Sequence, residues 1–193
     1  MTNNDIYIAA ATAIQDTQRW LERAVIGLNL CPFAKAVHVK GLVHYAVSEA
    51  TTTAELLVDL KNELNSLANM DVAGVSIAYD TTLLIAPHCL QDFLDFNDFL
   101  AKADKLLAKM KLEGTLQLAN FHPDYQFAGT APDDITNFTN RAPYPTLHLL
   151  RESSIDQAVA AFPEAEAIFE VNMATMERLG VQGWHDLGVG KTS

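Results

Sequence analysis

The residues best suited to chemistry lie in one stretch between positions 120 and 145. It combines an imidazole, a carboxylate, a phenol, amides and a guanidinium, carried by His122, Asp124, Tyr125, Gln126, Asn140 and Arg141. A neutral imidazole can act as general acid, general base or metal ligand, and a nearby carboxylate can orient its ring. A planar guanidinium can bind a carboxylate or a phosphate through two hydrogen bonds. The combination predicts an enzyme or a ligand-binding protein that acts on a small anionic molecule.

A cysteine far upstream is a candidate nucleophile for the same site. Cys31 precedes Pro32, a residue type suited to the first position of a helix, and Lys35 follows closely. A thiol at a helix N-terminus near a lysine has a lowered pKa and is a better nucleophile. The alternative is a buried and inert thiol, which is common for free cysteine. We predict catalytic roles for His122, Asp124 and Cys31, and substrate-binding roles for Arg141, Tyr125, Gln126 and Asn140.

The same residue types also serve structural purposes, and the sequence leaves these alternatives open. His122 precedes Pro123, which biases its backbone towards an extended conformation, so the ring could simply hold the loop in place. An aspartate that follows proline is a common turn former, which is the alternative for Asp124. Arg141 could form a structural ion pair with one of the many acidic residues. The reaction, and whether there is one, are undetermined by the sequence.

Two further hypotheses come from other functional classes. The first is a metal-binding module, whose ligands would be His122 and Asp124 with His88, Cys89 or His148. These residues lack a recognisable ligand spacing, so the metal and any cofactor are unknown. The second is a protein-interaction domain, in which Phe127 and Tyr144 would be exposed anchors on a docking loop. Buried rings around a polar cavity would instead favour an enzyme or a ligand-binding protein.

Composition and charge argue against several classes of function. With 193 residues, 49% of them apolar, the chain can form one domain with a substantial core. A formal net charge of −11 opposes phosphate backbones and anionic membranes, so we predict neither nucleic acid nor membrane as a partner. The polar start lacks the features of a secretion signal. We predict a cytoplasmic protein that binds a small molecule and whose oligomeric state is undetermined.

The pattern of apolar residues predicts helices that alternate with strands. Short apolar runs at 42–47, 82–86, 116–121 and 146–150 read as strands, and helical stripes separate the first three. Such an order favours parallel pairing, which brings the carboxyl ends of the strands to one edge of the sheet. We predict a single α/β domain over 1–193, with a small mixed sheet of about four strands, three parallel plus one antiparallel, flanked by helices. The alternative is a ferredoxin-like α+β sheet.

The connection before the last strand is predicted to be a functional loop at about 122–145. Most connections in compact domains have about four to six residues, and much longer ones are usually functional. If the last strand runs antiparallel, the loop begins and ends at the edge where the other strands end. The loop can then fold over this edge and cover a site.

Three blocks of the sequence carry a resemblance to a known family. They are the segments LCPFAK at 30–35, FHPDYQFAGT at 121–130 and NRAPYPTLHLLRE at 140–152. The chain resembles a bacterial family known only as domain of unknown function 1415, over nearly its whole length. The resemblance implies a bacterial single-domain protein. It implies no activity and no catalytic residues, so the functional argument depends on the residues themselves.

Overall fold

A computed structural model describes residues 3–69, 79–161 and 167–192. The sequence predicts that the last long helix begins at Pro163, because proline suits the first helical position, but this residue lies outside the described residues. The helices are α1 (Asn3–Trp20), α2 (Ala34–Val39), α3 (Thr53–Asn69), α4 (Phe93–Lys109), α5 (Glu152–Ala161) and α6 (Ile168–Asp186), with π-helical turns at Leu21–Ile26 and a 3-10 helix at Ile135–Asn140. The strands are β1 (Val43–Val47), β2 (Thr81–Ile85), β3 (Leu116–Phe121) and β4 (Thr146–Arg151).

The four strands form one mixed sheet in the order β1-β2-β4-β3. The prediction of three strands paired in parallel is wrong, because only β1 and β2 pair in parallel. β4 lies between β2 and β3 and pairs antiparallel with both. Its alternate residues are largely buried on both faces, as a central strand requires. The elements of the described residues also do not follow the βαββαβ order of the ferredoxin-like alternative.

The direction of the strands still brings three strand ends together. β3 is antiparallel to β4, and β4 is antiparallel to β2, so β3 points the same way as β1 and β2. The carboxyl ends of β1, β2 and β3 therefore lie along one edge of the sheet. In open α/β sheets, this is the edge at which ligands bind.

Two apolar clusters cover the two faces of the sheet, because successive strand residues point to opposite sides. On one face, Leu84 and Leu147 pack with leucines of α3 and phenylalanines of α4. On the other face, Leu83 packs with Trp20 and the π-helical turns that follow it. The edge-to-face contact between the Trp20 and Phe121 rings, with centroids 5.0 Å apart, joins the first helix to the end of β3. The long loop therefore begins directly after a residue that is packed against α1.

Capping explains where two of the helices begin. The spacing of Thr52 and Glu55 in the sequence predicts a capping box at the start of α3. The box forms, since each side chain accepts a hydrogen bond from the other residue's backbone N–H. Asp92 caps α4 through bonds from the backbone N–H groups of Leu94 and Asp95. The spacing of Ser154 and Gln157 also predicts a capping box. This prediction is wrong, because α5 already begins at Glu152 and the Ser154 hydroxyl donates to Asp80.

The last helix extends further than the sequence predicts. The sequence predicts that Gly180 lies past the helix end and that the segment from Val181 onwards is irregular. Gly180 does break the helix with a positive φ of 66°, but helical structure resumes and continues to Asp186. Of the helices within the described residues, none has the length and apolar composition needed to cross a bilayer.

The π-helical turns depend on a glycine that follows them. Gly27 donates its N–H to the carbonyl of Glu22, five residues back, at 3.0 Å. A Cβ at this position would lie 2.2 Å from the backbone oxygen of Arg23. We therefore expect Gly27→Ala to lower the free energy of unfolding by about 1–3 kcal/mol, the usual cost of overpacking. Urea unfolding measures this change.

The matched control is Gly190→Ala, since a Cβ at Gly190 meets no atom within 4 Å. Its unfolding midpoint should stay close to that of the wild type. Equal midpoints for Gly27→Ala and Gly190→Ala would contradict the packing argument for Gly27.

Candidate functional site

The long loop covers the edge at which β1, β2 and β3 end. Phe121, the last residue of β3, pairs directly with Thr146, the first residue of β4. The loop between them therefore leaves and rejoins the sheet at the same edge, as predicted for an antiparallel last strand. The segment after β2 and the first turn of α4 lie at this edge too, because α4 follows β2 within eight residues.

Asn137 is the residue around which the loop is organised. Its side chain is fully buried, and its Oδ1 accepts hydrogen bonds from the Phe127 N–H at 2.9 Å and from the Thr130 hydroxyl at 2.8 Å. Its Nδ2 donates to the carbonyl of Ala131 at 2.8 Å. Between Phe127 and Thr130, Gly129 adopts a positive φ of 84°, a conformation that glycine tolerates and other residues resist. The Asn137 side chain thus holds the chain in place on both sides of Gly129.

His122 is fully buried, and both of its ring nitrogens are bonded to backbone groups. Nδ1 accepts the N–H of Asp124 at 3.0 Å, so Nε2 carries the proton and donates to the carbonyl of Leu90, also at 3.0 Å. Burial lowers the pKa of His122 and favours its neutral form. The ring packs against Phe93 and Phe96 of α4. In this arrangement the His122 ring holds the backbone of Asp124. The sequence had predicted the reverse, namely that the Asp124 carboxylate orients the His122 ring.

A cleft of about 640 Å³ lies between the loop, the first turn of α4 and α6. Its volume falls within the range of small-molecule pockets. Three exposed carboxylates line it, those of Asp92, Asp124 and Asp133. Within the described residues, the carboxylates of Asp124 and Asp133 take part in no hydrogen bond or ion pair. The cleft therefore combines accessible carboxylates with the single cation of its lining.

That cation is Arg141, which the sequence predicted as a substrate-binding residue. The half-buried guanidinium lies 4.0 Å above the ring centroid of Phe138. Nε donates to the carbonyl of Tyr125 at 3.3 Å, and Nη2 donates to the carbonyl of Pro132 at 2.6 Å. Burial lowers the pKa of Arg141, although the nearby Asp124 opposes this shift. An arginine stays protonated at neutral pH, so the cleft contains a fixed positive charge.

The other predicted substrate-binding residues mainly support the loop. Gln126 lines the cleft, but its Nε2 donates to the carbonyl of Thr130 at 2.6 Å. The Tyr125 ring packs against the rings of Phe93 and Phe127. Burial raises the pKa of the Tyr125 hydroxyl, and the nearby side chain of Asn140 opposes this shift. The carbonyl of Asn140 accepts a hydrogen bond from the N–H of His122 at 3.2 Å. This backbone hydrogen bond connects the two ends of the loop.

Cys31 is not among the residues that line the cleft. It packs with the cluster around Trp20, whereas His122 contacts Phe96 in the cluster on the opposite face. The structure therefore does not bring the thiol and the imidazole together. The prediction that Cys31 caps a helix is wrong, because α2 begins at Ala34 with Phe33 as its N-cap.

The metal-binding hypothesis finds no assembled ligand set. In residues 3–69, 79–161 and 167–192, no three His, Cys, Asp or Glu side chains are placed to hold a metal ion. Cys89 is buried in the core, and burial raises the pKa of its thiol. His148 lies within the sheet, where burial lowers its pKa to about 4 and its Nε2–H donates to the Thr81 hydroxyl at 2.7 Å. The Thr81 hydroxyl in turn donates to the carbonyl of Leu149.

The interaction hypothesis required two exposed aromatic anchors, and neither ring is one. Tyr144 is buried, with its hydroxyl donating to the carboxylate of Asp16 at 2.8 Å. Phe127 is half-buried between the rings of Tyr125 and Phe169. Both rings pack within the molecule.

A buried carboxylate in α1 holds the end of the described chain next to this site. Asp16 accepts hydrogen bonds from Arg19, from the Tyr144 hydroxyl, and from both the N–H and the hydroxyl of Thr192. Burial opposes its ionisation, but these hydrogen bonds outweigh burial and lower the pKa of Asp16. Beside Thr192, the ammonium of Lys191 lies 3.4 Å from the side-chain oxygen of Gln91, a residue of the cleft lining.

The sequence did not identify the cleft residues contributed by α4 and the 3-10 helix. Asp92 and Phe93 had a usable signal, since an acidic residue before an apolar helical stripe marks a helix start. Phe138 had no comparable signal. It is one of several aromatic residues in the loop, and only the folded loop places it beneath Arg141.

Comparison with curated proteins and with solved structures gave no match to this chain. One family model does match, and it covers residues 12–186. This range includes α1 from Thr12 onwards, the whole sheet and the loop that forms the cleft. The chain belongs to the family described as "Protein of unknown function (DUF1415)".

Proposed function

We propose that this protein binds a small molecule in the cleft beneath the long loop, with Arg141 holding an anionic group of the ligand. The observation that supports the proposal most strongly is the hydrogen bonding of the Arg141 guanidinium. Two of its five N–H donors are fixed by backbone carbonyls, and no described residue accepts a hydrogen bond from Nη1. A half-buried, immobilised guanidinium with unused donors suits a carboxylate or phosphate.

The surroundings of Arg141 support a binding role over a purely structural one. A structural ion pair would place a carboxylate within about 4 Å, and no described acidic residue forms such a pair with Arg141. The stacking on Phe138 and the two backbone contacts restrict the side chain before any ligand arrives. Restricting a side chain in advance lowers the entropy cost of binding.

For any reaction in this cleft, we propose Asp124 as the acid or base and His122 as a positioning residue. The Asp124 carboxylate lines the cleft and is exposed, while its backbone N–H is held by the His122 ring. A candidate base must lie within reach of the substrate, and Asp124 meets this condition better than a fully buried imidazole. We propose no role for Cys31 in this site, because it is not among the residues that line the cleft.

Ligand-detected NMR with a set of small carboxylates and phosphates tests the binding proposal. We expect Arg141→Met to weaken the binding of these fragments about 10- to 100-fold, the worth of a charge-assisted hydrogen-bond pair. Arg178→Met is the matched control, since Arg178 is exposed on α6 and is not part of the cleft lining. Its affinities should equal those of the wild type.

A second variant separates loss of binding from damage to the loop. Leu94 lines the cleft with 71% of its surface exposed, so Leu94→Trp should fill the cleft without breaking a hydrogen bond of the loop. We expect Leu94→Trp to abolish binding while leaving the amide spectrum of the loop unchanged. Fragments that bind both variants as tightly as the wild type would refute the cleft as the ligand site.

A further inference from the structure

The charges of the cleft restrict its ligand more narrowly than the presence of Arg141 alone. Carboxylates outnumber the single guanidinium three to one, through Asp92, Asp124 and Asp133. All three are exposed, whereas Arg141 is half-buried. The cleft thus has a cationic group set deeper in the protein surface than the carboxylates that line it.

These charges act together on any bound molecule. The Debye length at physiological salt is about 8 Å, which is comparable with the width of a compact cleft of this volume. A ligand held at Arg141 is therefore within range of the carboxylates of Asp124 and Asp133. Neither carboxylate has a hydrogen-bonding or ionic partner among the described residues. Both can therefore accept a hydrogen bond from a ligand.

A ligand with only one kind of charge fits this arrangement poorly. A simple anion would be attracted by Arg141 but repelled by the three carboxylates. A simple cation would be attracted by the carboxylates but would leave the guanidinium without an anionic partner. Each kind of ligand therefore gains Coulombic attraction from one sign of charge only, and it loses part of the available binding energy.

We propose that the ligand is a zwitterion, with a carboxylate or phosphate bound by Arg141 and a protonated amine bound by the acidic residues. This inference rests on the binding role of the cleft proposed above. Phe93, Leu94 and Val181 also line the cleft, so the part of the ligand between its two charges is apolar. The substrate class is an amino acid or amino phosphate with an apolar body.

The test compares fragments that differ only in charge. The set contains equal numbers of monocarboxylates, amines, amino carboxylates and neutral compounds built on the same apolar bodies, and binding is measured by ligand-detected NMR. Fragments whose binding disappears in Leu94→Trp are counted as cleft ligands. We expect amino carboxylates to bind about tenfold more tightly than the matched monocarboxylates, from several exposed charge contacts acting together.

A triple variant identifies the source of that preference. Asp92→Asn, Asp124→Asn and Asp133→Asn together remove the three charges, and asparagine preserves the cap of α4. We expect the tenfold preference to disappear in this variant. The control replaces Asp98, Asp104 and Asp156 with asparagine, which changes the net charge equally at exposed positions outside the cleft lining. The control should keep the preference.

The possible outcomes separate this inference from the proposed function. Monocarboxylates that bind as tightly as amino carboxylates, or a preference that survives in the triple variant, would overturn the zwitterion and leave the binding cleft intact. Amines that bind best and are unaffected by Arg141→Met would also overturn it. If Leu94→Trp displaces no fragment of any class, the proposed function fails together with the inference.

Discussion

Replacing Asn137 with alanine should lower the free energy of unfolding by about 3 kcal/mol and weaken ligand binding at the same time. The substitution removes three hydrogen bonds from a fully buried side chain. It leaves the Phe127 N–H and the Ala131 carbonyl without their side-chain partner, and each of the three lost hydrogen bonds contributes about 0.5–1.5 kcal/mol to stability. Urea unfolding measures the stability change.

The effect on binding follows from the position of Ala131 next to Pro132. Asn137 holds the carbonyl of Ala131, and the next carbonyl, that of Pro132, holds the guanidinium of Arg141. We expect Asn137→Ala to weaken carboxylate binding about tenfold under conditions in which the variant is fully folded, because loss of this support misplaces Arg141.

Asn97→Ala is the control for Asn137→Ala, since Asn97 is exposed on α4. Its stability should stay within about 0.5 kcal/mol of the wild type, and its ligand affinity should not change. A folded Asn137→Ala protein with normal stability and normal affinity would show that this amide does not organise the loop.

Replacing Asp16 with alanine should have a stability effect of similar size, about 3–5 kcal/mol. The carboxylate is fully buried and accepts hydrogen bonds from α1, from the turn at Tyr144 and from Thr192. Removing one member of a buried charged network leaves the others uncompensated, which accounts for the large cost. Asp98→Ala, at an exposed position of α4, should change stability by less than about 0.5 kcal/mol.

The contribution of Asp16 should also depend on pH in a definite direction. Its pKa is lower in the folded protein than the ordinary carboxyl value of about 3.9. A group with a depressed folded pKa stabilises the protein fully above its unfolded pKa, and this stabilisation is lost as the pH falls through the folded value. The stability difference between wild type and Asp16→Asn should therefore be constant from pH 7 to 5 and shrink below about pH 4. A difference that grows on acidification would contradict the assigned role.

Local sequence patterns predicted most of the secondary structure. β3 begins and ends at the predicted residues, and the α3 capping box forms as expected. These features depend on residues that are neighbours in the sequence, so a pattern can reveal them. The pairing of the strands was predicted less well. The position of β4 in the sheet depends on contacts between distant segments of the chain. The alternation of apolar residues does not indicate which strand lies next to β4.

Sequence reasoning singled out the residues of the long loop, and the structure places Asp124, Gln126 and Arg141 in the lining of one cleft. It did not foresee the tertiary contacts of these residues. Arg141 is the only basic residue between 120 and 145, which made it conspicuous in an acidic chain. The role of His122 depends on the carbonyl of Leu90, 32 residues away, and a backbone carbonyl has no sequence signature. Asp16 was missed for the same reason, since its partners Tyr144 and Thr192 are 128 and 176 residues distant. Partners that meet only through the tertiary fold lie beyond single-sequence reasoning.

The most direct test of the binding cleft is a crystal structure of the protein soaked with the tightest-binding carboxylate fragment. We expect the fragment in the cleft, with a carboxylate oxygen about 2.7–3.1 Å from a guanidinium nitrogen of Arg141. The guanidinium should remain stacked on Phe138, and the contacts of Arg141 to Tyr125 and Pro132 should be preserved. A fragment bound elsewhere, for example against Ser48 and Asp59 beside β1, with the cleft empty at saturating concentration, would contradict the assignment of Arg141.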